Sequence, residues 1–228
     1  DCGHRSLIAL TDRTIFDHLA GRHTTGVYPL LTDDTCNFLA VDFDDAEWRE
    51  DAKGFVISCR ELGVPVALEV SRSGEGAHAW VFFSTSVAAR DARRLGTALI
   101  SFTCARTRQL KLTSYDRLFP SQDTLPKGGF GNLIALPLQK QPREQGRSVF
   151  VDDALQAFPD QWAYLASIEP MAPRDIEPTI LRATGGSHPL DVTFVADEDS
   201  LEPWKPRSSA TQRLAGPMPE SVAVTLAN

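Results

Sequence analysis

The chain has 228 residues, 42% of them hydrophobic and 23% charged, proportions of an ordinary globular protein rather than a disordered or fibrous one. No apolar run approaches the ~20 residues of a membrane-spanning helix. No secretory signal pattern opens the chain, which begins at Asp1 rather than Met, as a piece of a longer polypeptide would. The net charge of −7 speaks against a nucleic-acid partner until its distribution is considered. Residues 87–147 hold eleven Lys/Arg and four acids, a net +7, against −14 for the remainder, and a local patch matters more to a phosphate backbone than the total.

In chain order, residues 11–19 read as a short helix with Thr11 as its candidate N-cap. Residues 37–44, Asn37-Phe38-Leu39-Ala40-Val41-Asp42-Phe43-Asp44, read as a buried strand ending in two acids. Side chains two apart on a strand point the same way, about 6.6–6.8 Å apart along the backbone. Asp42 and Asp44 therefore share a face. Two like charges at that spacing repel unless a cation lies between them, and hard cations such as magnesium and manganese take oxygen ligands. The alternative is a cap for the following helix, which Asp45 and Glu47 would support. That helix is expected over 46–62 from the spacing of Trp48, Phe55, Val56, Cys59 and Leu62, with Gly63 and Pro65 ending it.

Two β-rich runs follow, 64–70 and 77–83, joined by Ser71-Arg72-Ser73-Gly74-Glu75-Gly76, a hairpin signal. Its glycines allow a positive φ and close backbone approach, and its amides can form an anion nest. His78, Trp80 and Phe82 fall on one face of the second strand. A glycine turn with a hydroxyl and an imidazole beside it can hold a polyphosphate; an ordinary hairpin with a satisfied histidine is the alternative. Residues 87–103 read as a second helix with a Leu95, Leu99, Phe102 core stripe, on which Arg90, Arg93 and Arg94 form a solvated basic face. Residues 114–131 are polar and rich in Gly and Pro and read as loop. Strands are expected over 132–138 and 148–151, and a short helix over 160–168. Residues 1–169 are expected to form the catalytic domain, with 170–228, proline-rich and acidic, as a loosely organised extension. Cys2, Cys36, Cys59 and Cys104 are widely spaced with no Cys-x-x-Cys, so the internal three are expected reduced, as in a cytoplasmic protein. The order strand–helix–hairpin–helix–strand predicts a mixed α/β sheet with helices mainly on one face. The other face is then free for the acids and the hairpin.

These residues resemble the catalytic core of the archaeo-eukaryotic primases. The Asp-x-Asp motif is matched by Asp42 and Asp44, and the second motif by Ser73-Gly74-Glu75-Gly76-Ala77-His78. An isolated acid before a strand ending in proline is matched by Asp123 ahead of Gly131-Asn132-Leu133-Ile134-Ala135-Leu136-Pro137, with Asp116 as the alternative third acid. The resemblance is to the primase domain of TOTE conflict systems in particular. It rests further on Gly26-Val27-Tyr28-Pro29-Leu30-Leu31, Phe119-Pro120-Ser121-Gln122-Asp123 and Asp160-Gln161-Trp162-Ala163, within residues 1–204. It implies an α/β (α+β) fold with an RRM-like mixed-sheet core. It implies a nucleotidyltransferase that joins nucleoside triphosphates on a single-stranded template or primer-template. Asp42, Asp44 and Asp123 would hold two magnesium or manganese ions. Ser73, Gly74, Gly76 and His78 would clamp the triphosphate. Arg106, Arg108, Lys111, Arg117 and Lys127, which bracket the approach to Asp123, would track the template. A helicase domain in the same polypeptide is implied as partner. A metal-dependent nuclease, a non-catalytic nucleic-acid reader and a nucleotide-sensing module are the rival classes.

Overall fold

The computed structural model describes residues 8–109 and 112–186. α1 (Asp12–Leu19) is capped as expected: the Thr11 hydroxyl accepts from the Thr14 amide at 3.2 Å. Its His18 is buried. One ring nitrogen, Nδ1, accepts from the Thr25 amide at 3.0 Å, and Nε2 donates to the Pro137 carbonyl at 2.9 Å. That pair of bonds fixes a neutral tautomer and ties α1 to the segment around Pro137. Burial holds the His18 imidazole below its ordinary pKa.

A five-stranded antiparallel sheet forms the centre. It is built from β2 (Thr35–Phe43), β3 (Ala67–Val70), β4 (Ala77–Ala88), β5 (Tyr115–Phe119) and β7 (Val149–Val151) in the order β5-β2-β4-β3-β7. A separate two-stranded ladder pairs β1 (Gly26–Val27) with β6 (Ile134–Ala135). Alternation sorts the residues of the sheet. Leu39, Val41 and Phe43 of β2 and Ala79 and Val81 of β4 are fully buried, on the side covered by α2 (Trp48–Glu61) and α3 (Ala89–Thr107). Phe55 of α2 packs its ring 5.6 Å from that of Phe43. Asp42 faces the other way, in a cross-strand row with Arg117 of β5, His78 of β4 and Glu69 of β3. The mixed fold with helices on one sheet face is thus as the sequence implies.

Three elements differ from the sequence reading. Residues 115–119, expected as loop, form β5 at the sheet edge. The strand expected over 132–138 shrinks to the two residues of β6. Residues 171–183, within the described part of the segment expected as loose extension, pack onto the sheet and α3; the rest of that segment from residue 187 lies outside the described residues. Met171 inserts beside β4, donating its amide to Phe82 O at 2.8 Å and accepting from the Ser84 amide at 3.0 Å. α6 (Ile176–Ala183) buries Ile176 and Ile180 and lies along α3, where Glu177 accepts from Arg94 at 3.1 Å. α4 (Lys140–Arg143) and α5 (Gln161–Ser167) complete the elements, α5 being capped by the Asp160 carboxylate. Cys36 and Cys59 are buried free thiols, their pKa raised by burial.

Candidate active site

β2 delivers Asp42 and then Asp44 to the end of the sheet. Asp44 does not serve as a helix cap. α2 starts only at Trp48, and its N-cap Glu47 makes no side-chain cap bond. Instead one carboxylate oxygen from each of Asp42, Asp44 and Asp116 lies within 4.8 Å of the others. Asp116 reaches this cluster through an irregularity in the ladder. Arg117 pairs with Asp42, but Tyr115 pairs with Phe43, so two residues of β5 advance while β2 advances one. Asp116 is the extra residue of a β-bulge, a device that re-aims one side chain out of the alternation.

Asp123, the expected third acid, is placed elsewhere. It ion-pairs with Arg93 of α3, whose side chain is only 7% exposed. The expectation that Asp123 joins the pair is corrected: the third carboxylate of the cluster is Asp116. Arg93 is likewise not part of a solvated helix face, because a buried guanidinium requires a carboxylate partner and Asp123 supplies it.

The cluster is electrostatically strained in the way a cation relieves. Burial, only partly offset by His78 and reinforced by Asp44 and Asp116, pushes the Asp42 carboxyl from 3.8 up to about 6. Burial and Asp116 raise Asp44 as well. Three close carboxylates with unfavourable self-repulsion form an all-oxygen donor set that fits a hard divalent cation.

The glycine hairpin abuts this cluster. A Cβ at Gly76 would stand 2.5 Å from the Phe43 carbonyl and 2.6 Å from Asp44 Oδ1, so only glycine lets the turn close against the acid. Asp44 is fixed from the other side by its amide, which donates to Ser114 O at 2.7 Å. Ser114 is itself held by the buried Asp51 of α2, which accepts from its hydroxyl at 2.7 Å. The turn is internally bonded. The Gly74 amide donates to Ser71 O at 3.0 Å, and the Glu75 amide donates to the Ser73 hydroxyl at 3.1 Å. Gly74 has φ +79°, and Arg147 lies over it, with Nε 2.9 Å from where a Cβ would be. A cleft of about 670 Å³ runs between this turn and the start of α2, lined by Asp44, Asp45, Arg49, Ser73 and Gly74 among others.

His78 completes the site. Its Nε2 is 3.5 Å from Asp42 Oδ1 and its Nδ1 is 3.1 Å from Glu69 Oε2. Burial lowers the pKa of the ring, but the bond to Glu69 and the charges of Glu69, Asp42 and Asp44 outweigh it and hold it raised. Asp42, Asp44, Gly76 and His78 are thus brought together, with Ser73 and Gly74 in the adjoining turn.

The basic residues scatter. Arg117 sits in the site, its Nε 2.6 Å from Asp116. Arg106 pairs with Glu61 at 2.8 Å in the helical layer, on the opposite side of the sheet from Asp42. Arg108 is the left-handed C-cap of α3. Lys127 is exposed in the loop between β5 and β6, and Lys111 lies outside the described residues. Asp116 stood in the sequence reading only as the alternative third acid, and Glu69 and Arg147, which lie against His78 and Gly74, were not singled out. The available signal for Glu69 was a lone acid inside an apolar strand run.

No helix among the described residues is long and apolar enough to cross a membrane. No curated protein matches the chain. A family profile described as "TOTE conflict system, Archaeo-Eukaryotic Primase domain" does match, over residues 1–179. Asp42, Asp44 and the histidine hairpin lie within that span, and the chain belongs to the archaeo-eukaryotic primase domain family of TOTE conflict systems.

Proposed function

We propose that the chain is the catalytic unit of a template-dependent nucleotidyltransferase acting in a conflict system. The observation that carries this is the juxtaposition of Asp42, Asp44 and Asp116 with the glycine hairpin and His78, in a chain of this family. The reaction is attack of a 3′-hydroxyl on the α-phosphorus of a nucleoside triphosphate, with pyrophosphate as the leaving group. The three carboxylates would hold magnesium or manganese, which when bound stabilises the attacking and leaving oxygens of an in-line displacement. His78, whose pKa its acidic neighbours raise, presents Nε2 to a phosphate oxygen above Asp42. The Ser73–Gly74 turn receives the rest of the triphosphate, and Arg147, poised over Gly74, adds a guanidinium. Of the expected basic set, Arg117, beside Asp116, and the exposed Lys127 are the proposed template contacts. A helicase as neighbour rests on family analogy alone, and the sequence of the parent gene decides it.

Incubation with labelled ribo- and deoxynucleotides, a single-stranded template and manganese or magnesium tests the reading. Strand extension is expected. Asp116→Ala should reduce it by about a hundredfold or more with the fold intact. Asp123→Ala should retain activity while destabilising the protein by about 1–3 kcal/mol, below the cost of breaking a fully buried pair. Shortened strands in place of extension would replace this reading with a nuclease, and nucleotide retention without either would leave a binding module. Loss of activity in Asp123→Ala with normal activity in Asp116→Ala would reverse the assignment of the third acid.

A further inference from the structure

We propose that Glu69 is the positioning residue of this site, a buried carboxylate that fixes the direction in which His78 presents its second ring nitrogen. The inference rests on the nucleotidyl-transfer reading and names a residue which that reading does not use. Glu69 is 1% exposed, in the middle of β3, directly opposite His78 in the ladder. One of its oxygens, Oε2, accepts twice: from His78 Nδ1 at 3.1 Å and from Trp80 Nε1 at 2.9 Å. The other, Oε1, accepts from the Ser148 hydroxyl at 3.3 Å, and Ser148 Oγ in turn accepts from the Leu138 amide at 3.1 Å. Every polar contact of the carboxylate is thus with a group fixed by the sheet or by the segment entering β7.

The chemistry of an imidazole makes this arrangement consequential. A free His side chain can flip its ring, and only one of the two flips turns Nε2 toward a ligand beside Asp42. With Nδ1–H committed to Glu69, the ring presents Nε2 on the Asp42 side, 3.5 Å from Oδ1. Trp80 packs edge-on to the ring at 5.9 Å between centroids and is held by the same oxygen. A flip of His78 would therefore leave the Glu69 carboxylate short of a donor in a buried setting, which is costly. Glu69 touches neither carboxylate of the acid pair and has no path to a reacting atom. Its effect passes entirely through His78, as second partners of functional histidines do elsewhere.

Two variants of the full chain separate orientation from charge. In Glu69→Gln the amide oxygen can replace Oε2, while the amide nitrogen faces a Ser148 hydroxyl able to accept. Glu69→Leu keeps the volume and removes the acceptor. Two readouts are taken: KM and kcat for the triphosphate in strand extension, and the ring Nδ1–H resonance of His78 in ¹⁵N-histidine-labelled protein. Glu69→Leu should lose the slowly exchanging Nδ1–H signal and raise KM about ten- to hundredfold, with a smaller change in kcat. Glu69→Gln should keep the signal and hold KM within about threefold of the parent. Parent-like KM and signal in Glu69→Leu would overturn the proposal, as would a Glu69→Gln variant in which signal and KM are lost. Should Glu69→Leu fail to fold, the Gln variant alone decides between those outcomes. Should the parent chain incorporate no nucleotide, the proposed function fails, yet the His78 signal in the parent and variants still decides whether Glu69 orients the ring.

Discussion

Burial pushes the Asp42 carboxyl to about 6 against an ordinary 3.8, and the sign of that shift matters. A carboxyl whose folded pKa is raised opposes folding once it is charged. The penalty is complete above about pH 6, and it is relieved as pH falls through the folded value toward 3.8. Asp42→Asn is therefore expected to raise the stability of the metal-free protein at neutral pH, by on the order of 1–3 kcal/mol. The gain should fade near pH 4–5. The same variant should abolish strand extension. Adding manganese should raise the melting temperature of the parent and leave that of Asp42→Asn nearly unchanged, since a ligand stabilises only the state that binds it. Thermal melts with and without metal at several pH values provide the check. A variant less stable than the parent at neutral pH would show that the carboxylate is satisfied without a cation.

The elements that frame the site depend on close approaches with little tolerance. Gly76 stands where a Cβ would strike the Phe43 carbonyl and Asp44 Oδ1. Gly76→Ala is expected to push the hairpin off the acid and lower activity more than about tenfold, with a stability cost of roughly 1–3 kcal/mol from the forced backbone shift. An active, stable Ala variant would mean that the turn has room to retreat. α1 carries a different sensitivity. His18 has a lowered pKa and bonds as the neutral ring. Its contribution is present above the ordinary histidine value of 6.5 and is lost as pH falls below it, toward the lower folded value. The contact of α1 with the Pro137 segment should loosen on mild acidification, the opposite sign from Asp42. Amide exchange at Thr25, measured at pH 7.5 and 5.5, should show faster exchange relative to the intrinsic rate at the lower pH. Much of this was legible locally. The Asp42/Asp44 face follows from the period of a strand, the hairpin from its glycines, and the α1 cap from Thr11. Asp116 stood only as the alternative to Asp123, because its direction depends on how β5 registers against β2, information carried by a partner strand rather than by neighbours in sequence. Glu69 was only half legible: a lone acid in an apolar run marks it, but only the ladder sets it opposite His78.

At the scale of the whole molecule, the acid cluster lies on one side of a sheet whose other side is committed to the core, and α6, packed along α3, adds to that core. The signal for α6 was present in the spacing of Ile176, Thr179 and Ile180, but Pro173 and Pro178 masked it. A proline in the first helical turn is tolerated, because its missing N–H has no partner there in any case. Truncations ending at residues 186 and 169 isolate what Met171 and α6 contribute. One ending at residue 169 removes Met171 from beside β4 and strips Ile176 and Ile180 from α3. Its loss should exceed about 3 kcal/mol, as for deletion of more than one buried aliphatic side chain. Denaturant titration of the two truncations checks this, and equal midpoints would show α6 to be dispensable. The bulge at Asp116 carries a consequence of another kind. Because one surplus residue in an edge strand supplies the third carboxylate, loss of a single codon there would let the ladder close into regular pairing while the core beneath stayed intact. Catalysis and architecture are then separable by the smallest in-frame deletion. A lineage of this domain could lose the third carboxylate and keep its fold without passing through an unfolded intermediate sequence.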